Sequence, residues 1–130
     1  MTGVGAFVVD HTALAALGRG NWFMSRLVVS AANQSDVHVF APALCLAAAT
    51  AERPALADHI GSLHAVEIVD LGFPSAAAVG YLVAEGVDWR IAHAIDAGRP
   101  TIDWPNGRRV VTADPNAYVK WDVATVALYN

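Results

Sequence analysis

Short apolar runs that alternate with helix-forming stretches constrain this chain more than any other feature. Gly5-Ala-Phe-Val-Val9 is a compact hydrophobic run that stops at Asp10 and reads as a buried strand. Val37-His-Val-Phe40, Ala65-Val-Glu-Ile-Val-Asp70 and Arg109-Val-Val111 are three more strand candidates, and Trp121 to Leu128 alternates well enough to make a fifth. Helix-forming sequence fills the gaps. Asp10-His11-Thr12 supply capping chemistry for Ala13 to Leu17, which Gly18 and Gly20 stop, and a second helix fits Trp22 to Ala32. Pro42 suits the first turn of a helix over 42–52 that Pro54 ends, with a further short helix over 55–60. Ser75 to Glu85 and Trp89 to Ala97 follow, the latter capped by Asp88 and closed by Gly98, and 99–107 is a loop with two prolines. Strands separated by helices predict an α/β fold with a parallel sheet and helices on both faces.

Composition narrows the class. The 130 residues fit one domain, 1–130, with no repeat, low-complexity tract or linker. Hydrophobic residues make up 55% and charged residues 15%, with mean hydropathy +0.40, which excludes disorder. The most apolar stretch, Phe40 to Ala51, contains Pro42 and Thr50 and falls short of the roughly 20 residues a membrane span needs. Alanine accounts for 26 residues, so the apolar share overstates the area available for burial. Net charge is −4, from 8 Lys+Arg against 12 Asp+Glu, and argues against broad charge-driven binding to nucleic acid. It is compatible with a nuclease, whose site gathers acids around metal ions. Cys45 stands alone, which excludes an internal disulfide and a cysteine-rich zinc site. No basic residue precedes Arg19, so no secretory n-region is read and a cytoplasmic protein is expected.

Three aspartates carry the chemistry. In an open parallel sheet, ligands bind beyond the carboxyl ends of the strands. Asp10 follows Phe7-Val-Val9 and Asp114 follows Val110-Val-Thr-Ala113, both at that edge, while Asp88 begins a helix. Each serves equally as an ordinary helix cap. Brought together, they make a hard oxygen site suited to Mg²⁺ or Mn²⁺.

These segments resemble a PIN domain, the fold of the metal-dependent ribonuclease toxins of bacterial toxin–antitoxin pairs. Val8-Val9-Asp10-His11-Thr12-Ala13-Leu14 is similar to the family's opening motif, a hydrophobic strand, an aspartate, then Ser or Thr two residues on. Val111-Thr112-Ala113-Asp114-Pro115-Asn116-Ala117-Tyr118 resembles its threonine–x–aspartate strand end, and Asp88-Trp-Arg-Ile-Ala-His-Ala-Ile95 the helix that begins with its third aspartate. Phe40-Ala-Pro-Ala-Leu-Cys-Leu-Ala-Ala48 resembles the entry to the helix that carries the family's glutamate. That glutamate position falls on Ala48, and Glu52, one turn on and about 6 Å away, is the only substitute acid on the helix.

The resemblance implies a PIN-like three-layer α/β/α sandwich around a mostly parallel sheet of four or five strands. It implies an Mg²⁺- or Mn²⁺-dependent endoribonuclease of the toxin class, with Asp10, Asp88 and Asp114 as catalytic and metal-binding residues. Thr12 and Thr112 would orient carboxylates or metal-bound water, or else bond to backbone near helix starts. Without a fourth acid, weak binding of one ion is expected. RNA contact is expected from local patches, Arg19, Trp22 and Arg26 in one and Trp104, Arg108 and Arg109 in another, where aromatic rings and arginines occur together. His11, His38, His59, His64 and His93 show no metal-ligand spacing, and Cys45 reads as a buried small hydrophobe. The partners implied are RNA, a cognate antitoxin, and a second copy through the helices at 42–52 and 75–85, with no membrane. The competing reading is a degenerate PIN-like domain that binds RNA or protein without cutting.

Overall fold

The computed structural model describes residues 5–128; residues 1–4 and 129–130 of the expected domain lie outside the described residues. Twelve elements follow in chain order. They are β1 (Gly5–Val9), α1 (His11–Gly18), α2 (Trp22–Asn33), β2 (Val37–Pro42), α3 (Ala43–Glu52), α4 (Leu56–Gly61), β3 (Val66–Val69), α5 (Phe73–Ala84), α6 (Trp89–Gly98), β4 (Arg109–Thr112), a 3-10 turn (Pro115–Tyr118) and β5 (Thr125–Ala127). The strands form one sheet in the order β3-β2-β1-β4-β5, and every neighbouring pair is parallel. Helices flank it, as a parallel sheet requires because both of its faces are apolar.

The centre of the sheet explains the β-branched runs. Val8 pairs with Phe40 on one side and Val110 on the other, and Val9 pairs with Val111. Val8, Val9, Val39, Val110 and Val111 are all essentially inaccessible, and each buried valine contributes on the order of 1.5–3 kcal/mol. Alanines let helices approach closely. Ala13, Ala16, Ala48, Ala49, Ala92, Ala94 and Ala97 are all buried.

Boundaries differ from expectation at three places. Pro42 is the last residue of β2, opposite Val69, and caps α3 from extended backbone. Helix α5 starts at Phe73 because Pro74, which has no N–H to lose, is accepted within the first turn. The last strand is only three residues long. Pro115–Tyr118 coils into a 3-10 turn instead, and Asp122 takes a left-handed conformation with φ 57° before β5 begins. Gly107 sets the start of β4. Its φ is +77° and an added Cβ would stand 2.6 Å from the Gly98 carbonyl, so only glycine lets Arg108 N–H reach that oxygen.

The order β3-β2-β1-β4-β5 reverses between β1 and β4. An open parallel sheet forms its ligand crevice at such a reversal, beyond the carboxyl ends of the two strands.

Candidate active site

A cleft of about 180 Å³ opens at that reversal, lined by Asp10, Thr12, Asp88, Arg90, Thr112 and Asp114 among others. Asp10 arrives from the end of β1, Thr112 from the end of β4, Asp114 just beyond it, and Asp88 from the start of α6. All three aspartates and both threonines singled out in the sequence therefore line one concavity. Glu52, the two arginine–aromatic patches and the remaining expected contacts do not.

Asp10 is the buried centre, 1% exposed. Its Oδ1 accepts from Thr12 Oγ1 at 2.6 Å and from the Ala13 N–H at 3.0 Å, the second bond capping α1. Its Oδ2 accepts from the Tyr118 hydroxyl at 2.7 Å. A carboxylate offers about four acceptor positions, so one on Oδ2 is left for a ligand. Burial first, and then the Asp10 carboxylate, push the Tyr118 hydroxyl far above its ordinary range. Tyr118 thus stays protonated and remains a donor.

Thr12 joins the two central strands. Its hydroxyl donates to Asp10 and accepts from the Ala113 N–H at 2.9 Å, a link across 101 residues of sequence. Thr112 is fully buried, and its hydroxyl accepts from the Asp114 N–H at 3.0 Å, holding the turn that presents Asp114. The Asp114 side chain is exposed and accepts no hydrogen bond among the described residues.

Asp88 is half-exposed and caps α6 by accepting from the Arg90 N–H at 3.0 Å. The Arg90 guanidinium adds Nε at 3.1 Å from both carboxylate oxygens and Nη2 at 2.6 Å from Oδ2. These bonds hold the Asp88 carboxyl down at about 2.

Helix α3 contributes no acid. Ala48 is buried, and Glu52, the last residue of α3, is exposed and outside the cleft, near enough only to attract Arg90 weakly. Cys45 lies closer to the centre. Its thiol donates to the Arg90 carbonyl at 3.3 Å, and burial, reinforced by the Asp10 charge, raises its ionisation well above the ordinary range. It is a neutral packing residue here.

Does this donor set fit a divalent cation? Among the described residues, no three His, Cys, Asp or Glu side chains are gathered closely enough to hold one. The chemistry of the donors is nevertheless right for a hard ion, since all are carboxylate oxygens. Asp114 is open and Asp10 keeps one position. Asp88 is engaged only by an exposed arginine, and such surface pairs are weak. The donor types suit a hard Mg²⁺ or Mn²⁺, but in this arrangement the three carboxylates are not gathered into a site for one, and they are short of the four acids the resemblance would supply.

The other expected contacts lie elsewhere. Arg26 stacks over the Trp22 ring at 4.8 Å, with Trp22 60% exposed, but this pair belongs to α2 and Arg19 to the far end of α1, and none of the three lines the cleft. Trp104 packs edge-on against His38 and Phe40, Arg108 covers Phe40 at 4.4 Å and donates to the Ala97 carbonyl, and Arg109 covers Phe7 at 4.8 Å. Arg109 is the first residue of β4, so this group sits at the amino edge of the sheet, opposite the acids. Of the histidines, His11 lines the cleft with its buried Nδ1 unpaired. His93 is fully buried, accepts from the Leu44 N–H at 3.3 Å and is held neutral by burial. Two roomier concavities, about 330 Å³ beside Leu17 and Val28 and about 450 Å³ beside Trp104 and Arg109, gather no acids.

Two contributors escaped the sequence reading. Tyr118 lay inside a quoted motif without a role, because nothing local showed that the chain coils back after Asp114. Arg90 had a signal: a cation two residues after a helix-capping aspartate can fork onto it.

No family model matches the sequence, and no curated protein matches it. Among solved structures, the fold is similar to one described as the crystal structure of VapBC2 from Rickettsia felis bound to a DNA fragment from their promoter. The TM-score is 0.60 at 13% identity, over 95% of this chain and 99% of that one. At that identity the likeness concerns fold. The architecture is the PIN-like α/β sandwich expected from the sequence, with five strands, all parallel. No helix among the described residues is long and apolar enough to cross a membrane.

Proposed function

We propose that residues 1–130 form one PIN-type domain that acts as a toxin-like, metal-dependent endoribonuclease. One observation carries this reading: Asp10, Asp88 and Asp114, from three separate elements, line one cleft at the strand-order reversal. Structural likeness to VapBC2 supports the toxin class and an antitoxin partner, on fold alone. A single Mg²⁺ or Mn²⁺ held by the three aspartates would supply a Lewis acid for the scissile phosphate and lower the pKa of an attacking water. Thr12 and Tyr118 hold the Asp10 carboxylate in one orientation, and Thr112 fixes the turn that presents Asp114. The RNA strand then approaches from the carboxyl edge, away from Trp104 and Arg109.

A homodimer and a cytoplasmic location belong to the same reading. Helix α5 carries no charged residue and leaves Phe73 85% and Tyr81 74% exposed, which supports burial against another chain.

The test is cleavage of a structured RNA with Mn²⁺ or Mg²⁺, compared with chelator and with Asp10→Asn. Metal-dependent cutting that falls at least a hundredfold in the variant is expected; cutting that persists there rules the reading out. The second reading, a domain that binds without cutting, is favoured by the buried Ala48 at the position of the family acid. Binding that is unchanged by chelator, with no turnover, would select it.

A further inference from the structure

A concavity of about 330 Å³ opens where the end of α1 meets α2 and the segment that closes α4. Leu17, Val28, Val29 and Leu63 supply its apolar surface, and Gly18 and Gly20 add no side chain to fill it. A smaller concavity of about 230 Å³ shares Gly18 and His59 with it and extends to Arg53 and Leu56. Among the described residues, neither shares a lining residue with the acidic cleft. One wall is regular. Ser25, Val28 and Val29 follow the i, i+3, i+4 spacing of a single face of α2, yet Val29 remains 58% exposed.

The charge around this groove runs opposite to that of the molecule, whose net charge is −4. From His11 to Ser35 the sequence holds Arg19 and Arg26 and no acid. Arg19 stands between the two lining glycines, and Arg26 lies one turn before Val29. Arg53 is held beside them, its Nη1 donating to the Gly18 carbonyl at 3.3 Å. All three are exposed, and the ion pair seen among the described residues, Arg90 with Asp88, involves none of them. On the side of α3 and α4 the acids are Glu52 and Asp58, two against three arginines.

We infer that this groove receives an amphipathic helix of a partner protein. The apolar residues of that helix, one turn apart, enter between α1, α2 and α4, and its Glu or Asp residues meet Arg19, Arg26 and Arg53. A protein segment fits better than RNA, because the larger concavity is lined by apolar side chains and by no Lys or Arg that would meet a phosphate. A second copy docked through α5 does not fit the description, since that helix carries no acid. The inference goes beyond the cleavage reading and stands apart from it.

The probe is a synthetic helical peptide of about 16 residues, with leucines at i, i+3, i+4 and i+7 and glutamates beside them, titrated with the full chain by fluorescence anisotropy. Saturable binding is expected, and the same peptide with lysines in place of the glutamates should bind at least tenfold more weakly. Val29→Asp, at an exposed position, should keep the parent's melting temperature and weaken the glutamate peptide about tenfold. The double variant Arg19→Glu, Arg26→Glu should reverse the preference between the two peptides. A parent that does not bind the glutamate peptide, binds both peptides equally, or releases it to single-stranded RNA overturns the inference. So does a Val29→Asp protein that binds as the parent does. A Val29→Asp protein that loses self-association instead assigns the groove to a second copy and also overturns it. RNA cleavage is not read, so each of these outcomes leaves the acidic cleft to its own test.

Discussion

The two edges of the sheet hold similar residue types in opposite physical states. At the amino edge, Trp104, His38 and Phe40 pack together with Arg108 over the Phe40 ring, while Arg109 lies over Phe7 on the other face of the sheet. Arg108 is partly buried, and burial lowers the pKa of its guanidinium. At the carboxyl edge, carboxylate and hydroxyl groups replace rings: the buried donors converge on Asp10 or on the turn to Asp114, and Arg90 donates to the exposed Asp88. Aromatic–arginine clustering in sequence therefore marks packing at one end, while scattered aspartates and threonines mark the cleft at the other. The lesson is that clustering along the chain is a poor guide to a site, whereas position relative to strand ends is a good one.

Substitutions at the two edges can break that contrast. Asp10→Ala should have the largest effect, about 3 kcal/mol or more in a urea unfolding titration, because it removes the α1 cap and strands the buried Tyr118 hydroxyl. A cost under about 1 kcal/mol would mean that Asp10 is not the structural centre of the carboxyl edge. Trp104→Ala should cost about 2 kcal/mol, less than a fully buried tryptophan, with no change in RNA cleavage or metal binding. Loss of cleavage at undiminished stability would bring the amino edge back into the function.

Tyr118→Phe removes one donor from Asp10 and should cost roughly 1–2 kcal/mol by the same titration. It should also free an acceptor position on Oδ2, so Mn²⁺ binding is expected to hold or improve. A tenfold loss of Mn²⁺ affinity would make Tyr118 part of the binding machinery instead. The smallest effect concerns pH. Asp88 is depressed to about 2 from the usual carboxylate value of about 3.9, so its contribution is complete above about pH 4 and fades as pH falls toward 2. The acid-side decline in melting temperature between those limits should shrink in Arg90→Gln, and an unchanged profile would show that Arg90 is not what holds the Asp88 carboxyl down.

Much of the fold was legible. Five strands and six helices were readable because apolar runs, Pro and Gly breaks and capping aspartates are local signals, and the reading failed only where local signals conflict. Trp121 to Leu128 alternates over eight residues, yet only Thr125–Ala127 pairs, since Tyr118 is drawn inward to Asp10 and turns the chain before it. The candidate site was legible by residue type and by position, at a strand end for Asp10, Thr112 and Asp114 and at a helix start for Thr12 and Asp88. Arg90 and Tyr118 were not, because their roles depend on where a guanidinium forks and where a turn doubles back.

The apolar runs and their helical separators by themselves determined a parallel sheet, since only strands buried on both faces can be so uniformly hydrophobic. They also put Asp10 and Asp114 just past strand ends. What only the tertiary structure decided is which of those ends are neighbours. Strand order set β1 beside β4 and so joined Asp10 to Asp114 across more than 100 residues, while leaving Arg109 at the far end of the same strand. It also decided the state of each acid, buried and hydrogen-bonded at Asp10, paired at Asp88, open at Asp114, because burial and partners are properties of three-dimensional neighbours and not of the residue.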